Sequence, residues 1–228
     1  MDLEMNVSRL ERDLSRPGAE LYEAYWKKRT NHLIPPELLT ARPNVFVEIG
    51  AGTGWFLLEL ARDQADTTFI GIERDRFRGN RLMYRAGKAG LPNFAGFRGN
   101  AIPAFINGIP SESVDRIYLL YPAPHMKTSQ RKHRWYIHPI MPHIVRILKK
   151  GGKLVWASDQ KFYIDEAHFV CSRKYQMPIL SYGQLAANEY NDLARFPSGR
   201  TKFEVDFLKR GIPCYELIAR KSAQDPKI

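Results

Sequence analysis

Residues Glu48-Ile49-Gly50-Ala51-Gly52-Thr53-Gly54 constrain this chain more than any other stretch. An apolar run, Val45-Phe46-Val47, leads into them, and a helix-like run over 55–62 leads out. Glu73 closes the next apolar run, Thr68-Phe69-Ile70-Gly71-Ile72. A strand, a glycine turn, a helix and a second strand ending in an acid make a nucleoside-binding half of an α/β sheet. Glycine tolerates positive φ and lets a ligand come within van der Waals contact of the backbone. A carboxylate at the end of the second strand can accept hydrogen bonds from both ribose hydroxyls.

The spacing narrows the nucleoside. Gly-x-Gly-x-Gly puts the third glycine of the dinucleotide fingerprint out of register. Glu48 also sets a negative charge beside the ligand, which suits a cation and repels a diphosphate. S-adenosylmethionine (SAM) carries a sulfonium, an ammonium and no phosphate, so it is the candidate cofactor. Taken alone, the block is also compatible with an unliganded glycine turn in an α/β core.

The chain has 228 residues, 44% of them hydrophobic, enough to bury a full core. No apolar stretch is long enough to span a membrane. The opening Met1-Asp2-Leu3-Glu4-Met5 has no signal-peptide core, and Cys171 and Cys214 are too few for a disulfide framework or a zinc site. A cytoplasmic protein, monomer or homodimer, with no membrane association and no metal, is the expectation. Thirty-five Lys and Arg against 24 Asp and Glu leave a net charge of +11, which suits a polyanionic partner such as nucleic acid. The charge concentrates at Lys127, Arg131, Lys132, His133 and Arg134, beside Trp135 and Tyr136. Cations there can hold phosphates while the aromatics stack on bases.

Residues 1–44 read as an N-terminal helical extension. Leu3, Val7, Leu10 and Leu14 fall at helical spacing, Arg16-Pro17-Gly18 ends that segment, and Leu21, Tyr22, Tyr25 and Trp26 give a second apolar face. Two helices packed on the core are favoured over a lid or an RNA-contacting arm. From residue 45 to 221 the pattern alternates: strands at 45–49, 68–73, 94–98, 114–121 and 153–158, helices at 54–62, 76–88, 101–107 and 134–149. This predicts a parallel sheet with right-handed crossovers. Beyond it come a helix at 162–172 and strand-like runs at 177–182, 202–208 and 213–220, the last two read as an antiparallel hairpin joined through Lys209-Arg210-Gly211. A loop is predicted over 188–201 and a frayed tail over 222–228. In such a sheet ligands bind outside the carboxyl ends of the strands. That gathers the turns at 48–54, 73–75, 99–101 and 121–127, with Asp159 ending the fifth strand. Asn100 and Asp159 could instead cap the helices that follow them.

These residues together resemble the bacterial tRNA (guanine-N7)-methyltransferase family, the TrmB type. The resemblance covers roughly residues 45–220 and rests on Glu48-Ile49-Gly50 with Gly52, Gly71-Ile72-Glu73, Tyr121-Pro122-Ala123-Pro124-His125-Met126-Lys127, Ala157-Ser158-Asp159 and Thr201-Lys202-Phe203-Glu204. It implies a Rossmann-like class I SAM-dependent methyltransferase fold: a mostly parallel seven-stranded sheet with a C-terminal antiparallel hairpin and helices on both faces. It further implies a tRNA substrate and formation of N7-methylguanosine. Glu48, Gly50, Ala51, Gly52, Glu73, Arg74, Asn100, Ala101, Tyr121 and the position of Ala123 map to SAM contacts. Lys127, Arg131, Lys132, Arg134, Asp159, Thr201, Lys202, Phe203 and Glu204 map to substrate contacts. The chain departs from the family at Asn100, where Asp is usual, and at Ala123, where the family has Asp between the two prolines; His125 replaces a tryptophan. With that Asp absent, Asp159 and Glu204 become the candidate catalytic carboxylates. Ala123 leaves two alternatives: a non-catalytic RNA- or partner-binding relative, or a methyltransferase re-tasked to another substrate.

Overall fold

The computed structural model describes residues 2–14, 19–28 and 34–223. The expected break at Arg16-Pro17-Gly18 and the tail over 224–228 lie outside the described residues. Before the sheet come α1 (Asp2–Leu14), α2 (Ala19–Lys27) and α3 (Pro36–Thr40). They pack onto the body as expected: Leu10, Ile34 and Leu39 are buried in the main core cluster, with Tyr22 and Trp26 against it. Polar contacts fasten them too. The Tyr22 hydroxyl lies 3.1 Å from His138 Nε2, and Arg131 pairs with Asp13 at 3.5 Å.

The body alternates strand and helix: β1 (Asn44–Ile49), α4 (Trp55–Asp63), β2 (Thr67–Glu73), α5 (Arg76–Ala89), β3 (Phe94–Arg98), a short α6 (Ala101–Pro103), β4 (Val114–Leu120), α7 (Met141–Ile147), β5 (Leu148–Ser158), α8 (Lys161–Phe169), β6 (Ile179–Gln184), α9 (Lys202–Lys209) and β7 (Tyr215–Arg220). They form one seven-stranded sheet, ordered β3-β2-β1-β4-β5-β7-β6. β1 to β5 run parallel, and β7 is antiparallel to both β5 and β6. β2 is buried along its whole length, as a central strand covered on both faces must be. One core cluster joins Val47, Ile70, Ile117 and Trp156 to Phe105, Ile144 and Tyr163; the other joins Phe69, Tyr118 and Val155 to Leu57 and Leu82. Helices thus cover both faces, α4 and α5 on one and α7 and α8 on the other.

Three segment assignments differ from expectation. Residues 202–208 form α9, not a strand. The alternation Phe203, Val205, Phe207 reads as period two, yet Thr201 and Glu204 have the spacing of a capping box. Thr201 Oγ1 accepts the Glu204 N–H at 3.1 Å, and Phe203 stacks on Phe207 one turn on. β7 therefore has no hairpin partner just before it; its antiparallel neighbours are β5 and β6, and β6 is joined to it through a long connection. The predicted helix over 134–149 shrinks to α7, with a 3-10 turn at Thr128–His133 before it. Pro139 restricts its predecessor and lacks an N–H, so the helix can begin only beyond it. Finally, β5 starts at Leu148, before Gly151-Gly152, with a register shift against β4.

Candidate functional site

The order β2-β1-β4 reverses direction at β1, so the crevice between the ends of β1 and β4 is the switch point where such sheets hold ligands. Gly50, Gly52 and Gly54 all have positive φ, but they serve different ends. A Cβ on Gly54 would fall 2.4 Å from Leu82 Cδ1, so this glycine lets α4 and α5 pack. A Cβ on Gly52, at φ +57°, would meet nothing within 4 Å, nor would one on Gly50: this side of the turn faces open space. The turn is held from beneath. The Gly50 and Ala51 N–H groups donate to the Ile72 carbonyl, and Arg85 Nη1 donates to the Thr53 carbonyl and hydroxyl at 3.0 and 2.9 Å.

Glu73 organises the neighbouring turn. Its Oε2 accepts the Gly52 N–H at 2.9 Å and its Oε1 the Asp75 N–H at 2.8 Å. Each oxygen keeps further lone-pair capacity for a hydroxyl. Glu48 differs: it is 2% exposed, and its Oε2 has no hydrogen-bond partner among the described residues. Burial, with Glu73 adding like charge, pushes its carboxyl up to about 8 against the pull of Arg200. An unpaired buried carboxyl beside an open glycine turn fits a ligand that brings its own positive charge and donors.

Asn100 is the N-cap of α6, its Oδ1 accepting the Ile102 N–H at 3.1 Å. Its Nδ2 makes no hydrogen bond among the described residues, and Ala101 beside it is buried. Arg74, Arg76, Arg98, Gly99 and Asn100 line a surface cavity of about 480 Å³. Asp159 is no cap. Gln160 holds that position before α8 without a side-chain cap bond, and the Gln160 amide hydrogen-bonds the half-buried Asp159 carboxylate.

The segment after β4 is bracketed by strain. Tyr121 and His125 sit at φ +53° and +49°, a left-handed conformation disfavoured for bulky residues, on either side of Pro122-Ala123-Pro124. Both brackets are fastened. The Tyr121 hydroxyl donates to Glu204 Oε2 at 2.9 Å, and Arg134 Nη2 donates to the His125 carbonyl at 3.0 Å. Ala123 itself is exposed. Burial lowers the His125 imidazole below its ordinary value, with His133, Arg134 and Arg74 adding like charge.

The structure divides the basic run. Arg134 is 4% exposed, donates to Glu166 at 2.7 Å and lies over the Phe162 ring; Tyr136 donates to the same carboxylate oxygen. Arg131 is buried between Asp13 and Glu166. Both therefore face inward, contrary to the expectation that they hold phosphates, and only Lys127, Lys132 and His133 of the run are exposed. Glu204 faces inward too. Arg200, fully buried, donates to both its oxygens and to Glu216, whose other oxygen accepts from Asn191. Lys202 and Phe203 are exposed on the first turn of α9, which Thr201 caps. Sequence reasoning missed Arg200, Glu216 and Glu166. The capping box at 201–204 would have fixed the orientation of Glu204; nothing in the sequence distinguishes Arg200 from the chain's many exposed arginines.

A family model described as "Putative methyltransferase" matches residues 42–217. The chain is similar to the "tRNA (guanine-N(7)-)-methyltransferase" of Aquifex aeolicus, at 30% identity over 81% of this chain and 59% of the relative. It is also similar to a "Bifunctional methyltransferase" of Rickettsia conorii, at 35% identity over 58% of this chain and 25% of the relative; it thus spans a quarter of one of these relatives and less than two thirds of the other. A SAM-dependent methyltransferase crystal structure from Aquifex aeolicus shares the fold, with a TM-score of 0.53 at 13% identity over 87% of this chain and 98% of that one. The expected fold class is thus matched by sheet order, strand sense and neighbours alike, and with the family match running from just before β1 into β7, the chain belongs to this methyltransferase family.

Proposed function

We propose that the protein is a SAM-dependent tRNA methyltransferase that forms N7-methylguanosine. The observation that carries the donor half is Glu48: a buried carboxyl with an unpartnered oxygen, next to the open side of Gly50 and Gly52. Glu48 would meet the charged amino-acid end of SAM, Glu73 its ribose, and Asn100 Nδ2 its adenine. When bound, SAM supplies an electrophilic methyl group. The acceptor half draws on the names of the relatives and on the exposed Lys127, Lys132 and Lys202 near the strained segment over 121–125.

Guanine N7 carries an in-plane lone pair and no proton, so its methylation needs no general base. The protein's task is orientation, worth up to about 7–11 kcal/mol of a barrier when near-attack geometry is held. Ala123 is compatible with that. The two left-handed residues and the Arg134 clamp fix the Pro122 and Ala123 carbonyls, which can accept from the guanine edge in place of a carboxylate. Asp159, with its exposed portion at the end of β5, supplies negative charge for the cation that forms on the purine. Glu204, locked inside, acts through Tyr121 as a positioning residue.

The test is incubation with methyl-labelled SAM and tRNA lacking the modification, followed by mass spectrometry of the nucleosides. N7-methylguanosine is expected. Protein that binds both ligands yet leaves N7 unlabelled would refute the proposal and favour a re-tasked or non-catalytic relative.

A further inference from the structure

Helix α5 carries Arg76, Arg78, Arg81, Arg85 and Lys88 and no acidic residue. Its inward side is accounted for: Leu82 fills the core, and Arg85 holds the glycine turn. Its outward side is unusual for a solvated helix. Phe77 and Tyr84 are 68% and 69% exposed, more than any other large hydrophobic side chains among the described residues. They stand seven residues apart, two turns and about 10 Å along the axis, so they share a face. Arg81 and Lys88 fall on the same face, four residues after each ring. The Arg81 guanidinium already lies 5.6 Å from the Phe77 ring centroid. Ring, cation, ring, cation therefore line one exposed stripe about 16 Å long.

The stripe does not end in neutral surface. At the N-terminal end of α5, Arg74, Arg76 and Arg98 wall the cavity beside Asn100. No acid is paired with Arg74 or Arg76 among the described residues, and Arg74 adds its charge to that of His133 around His125. Cations thus occur in the loop after β4, around the proposed donor site and along α5, interrupted at the N-terminus of α5 by Asp75, which pairs with Arg78.

We propose that the outer face of α5 is a second RNA-docking surface, on which a nucleic acid backbone is held by Arg81 and Lys88 while unpaired bases stack on Phe77 and Tyr84. Cations spaced along a groove-free face neutralise successive phosphates, and exposed rings offer bases a surface that water solvates poorly. A helix lying in an anionic membrane separates its apolar face from its cationic one, whereas here rings and cations alternate along a single face, the arrangement suited to stacking bases between held phosphates. The proposal rests on the RNA-modifying function above: α5 would carry the part of the substrate flanking the guanine that enters the site.

The test is binding of labelled unmodified tRNA to the full chain, followed by fluorescence anisotropy across a salt series. Two double variants are compared, Phe77→Ala with Tyr84→Ala, and Arg81→Glu with Lys88→Glu. All four residues are exposed, and unchanged urea midpoints and unchanged SAM affinity would certify the fold. The aromatic pair is expected to weaken binding by about 30-fold or more with the salt slope kept. The charge pair is expected to flatten the slope by about 1.4–1.8. If both bind tRNA within about twofold of wild type, the surface is refuted, and normal methylation by them would leave the methyl-transfer function standing. If wild type transfers no methyl group yet the variants lose tRNA binding, the surface stands and the methyl-transfer function falls. Loss of phosphatidylserine-vesicle sedimentation in the variants, with tRNA binding intact, would overturn the proposal in favour of a membrane.

Discussion

Above about pH 5, replacing Glu48 with Gln should stabilise the ligand-free protein, and by an amount that grows with pH. In the folded state its carboxyl titrates at about 8, against 4.5 for the free group. The folded protein therefore holds a proton that the unfolded chain has released between those values. Its stability falls as pH rises through that window and is unaffected below it. At pH 7 the group sits roughly 2–3 pH units above its free value, or roughly 3 kcal/mol; above pH 8 the cost levels off near about 5 kcal/mol. Glutamine removes the ionisation but buries an amide where Glu48 Oε2 already lacks a partner, which costs about 1 kcal/mol. The net expectation is a small loss at pH 4.5, near balance at pH 5, and a gain of about 2 kcal/mol at pH 7 and 3–4 kcal/mol at pH 9. Urea unfolding of both proteins at these values, with equal m-values, measures it. SAM binding should move the other way, weakening by about 10- to 100-fold through loss of a charged hydrogen bond. Calorimetry of the wild type at pH 7 in buffers of different ionisation enthalpy should show a proton released on binding, absent in the variant. A stability difference that stays constant from pH 5 to 9 would refute the assignment of Glu48 as a buried, protonated cation receptor.

Three other perturbations follow from the geometry. Glu204→Gln breaks the buried contacts with Arg200 and Tyr121 and should cost about 3–5 kcal/mol in urea unfolding; a loss below 1 kcal/mol would mean the network is replaceable. Gly52→Ala places a Cβ at φ +57°, with about 1–2 kcal/mol of backbone strain, in the open space proposed for SAM; calorimetry should show SAM affinity falling more than stability does. Ala123→Asp restores a carboxylate on an exposed segment and should raise kcat on unmodified tRNA by up to about 10²-fold; a decrease would mean the guanine approaches by another route.

The parallel half of the fold was legible because each of its strands ends in a turn whose residues have few alternatives. Glycines at 50, 52 and 54 and the apolar runs before them specify β1, β2 and their crossover almost residue by residue. The C-terminal half was less legible for a physical reason. The segment Lys202-Phe203-Glu204-Val205-Asp206-Phe207 alternates like a strand, and only its cap chemistry, a local hydrogen-bond preference, tips it into a helix. The basic run misled in another way. Charge in a sequence says nothing of direction, and Arg131 and Arg134 turned inward to meet Asp13 and Glu166, partners 118 and 32 residues away in the chain that only folding brings near. The basic surface that remained exposed, on α5, lay in a stretch read simply as a crossover helix.

The Glu73 carboxylate has a consequence for how this site can be dissected. Because its two oxygens fasten the glycine turn to the start of α5, the donor crevice is assembled before any nucleoside arrives. Substituting Glu73 would remove the proposed ribose contact and also dismantle the wall it belongs to, so the resulting change in KM would mix recognition with architecture. A donor analogue lacking one ribose hydroxyl, assayed on the unaltered protein, separates the two: whatever affinity it loses belongs to recognition, and the remainder of the Glu73→Ala effect is the worth of having the crevice built in advance.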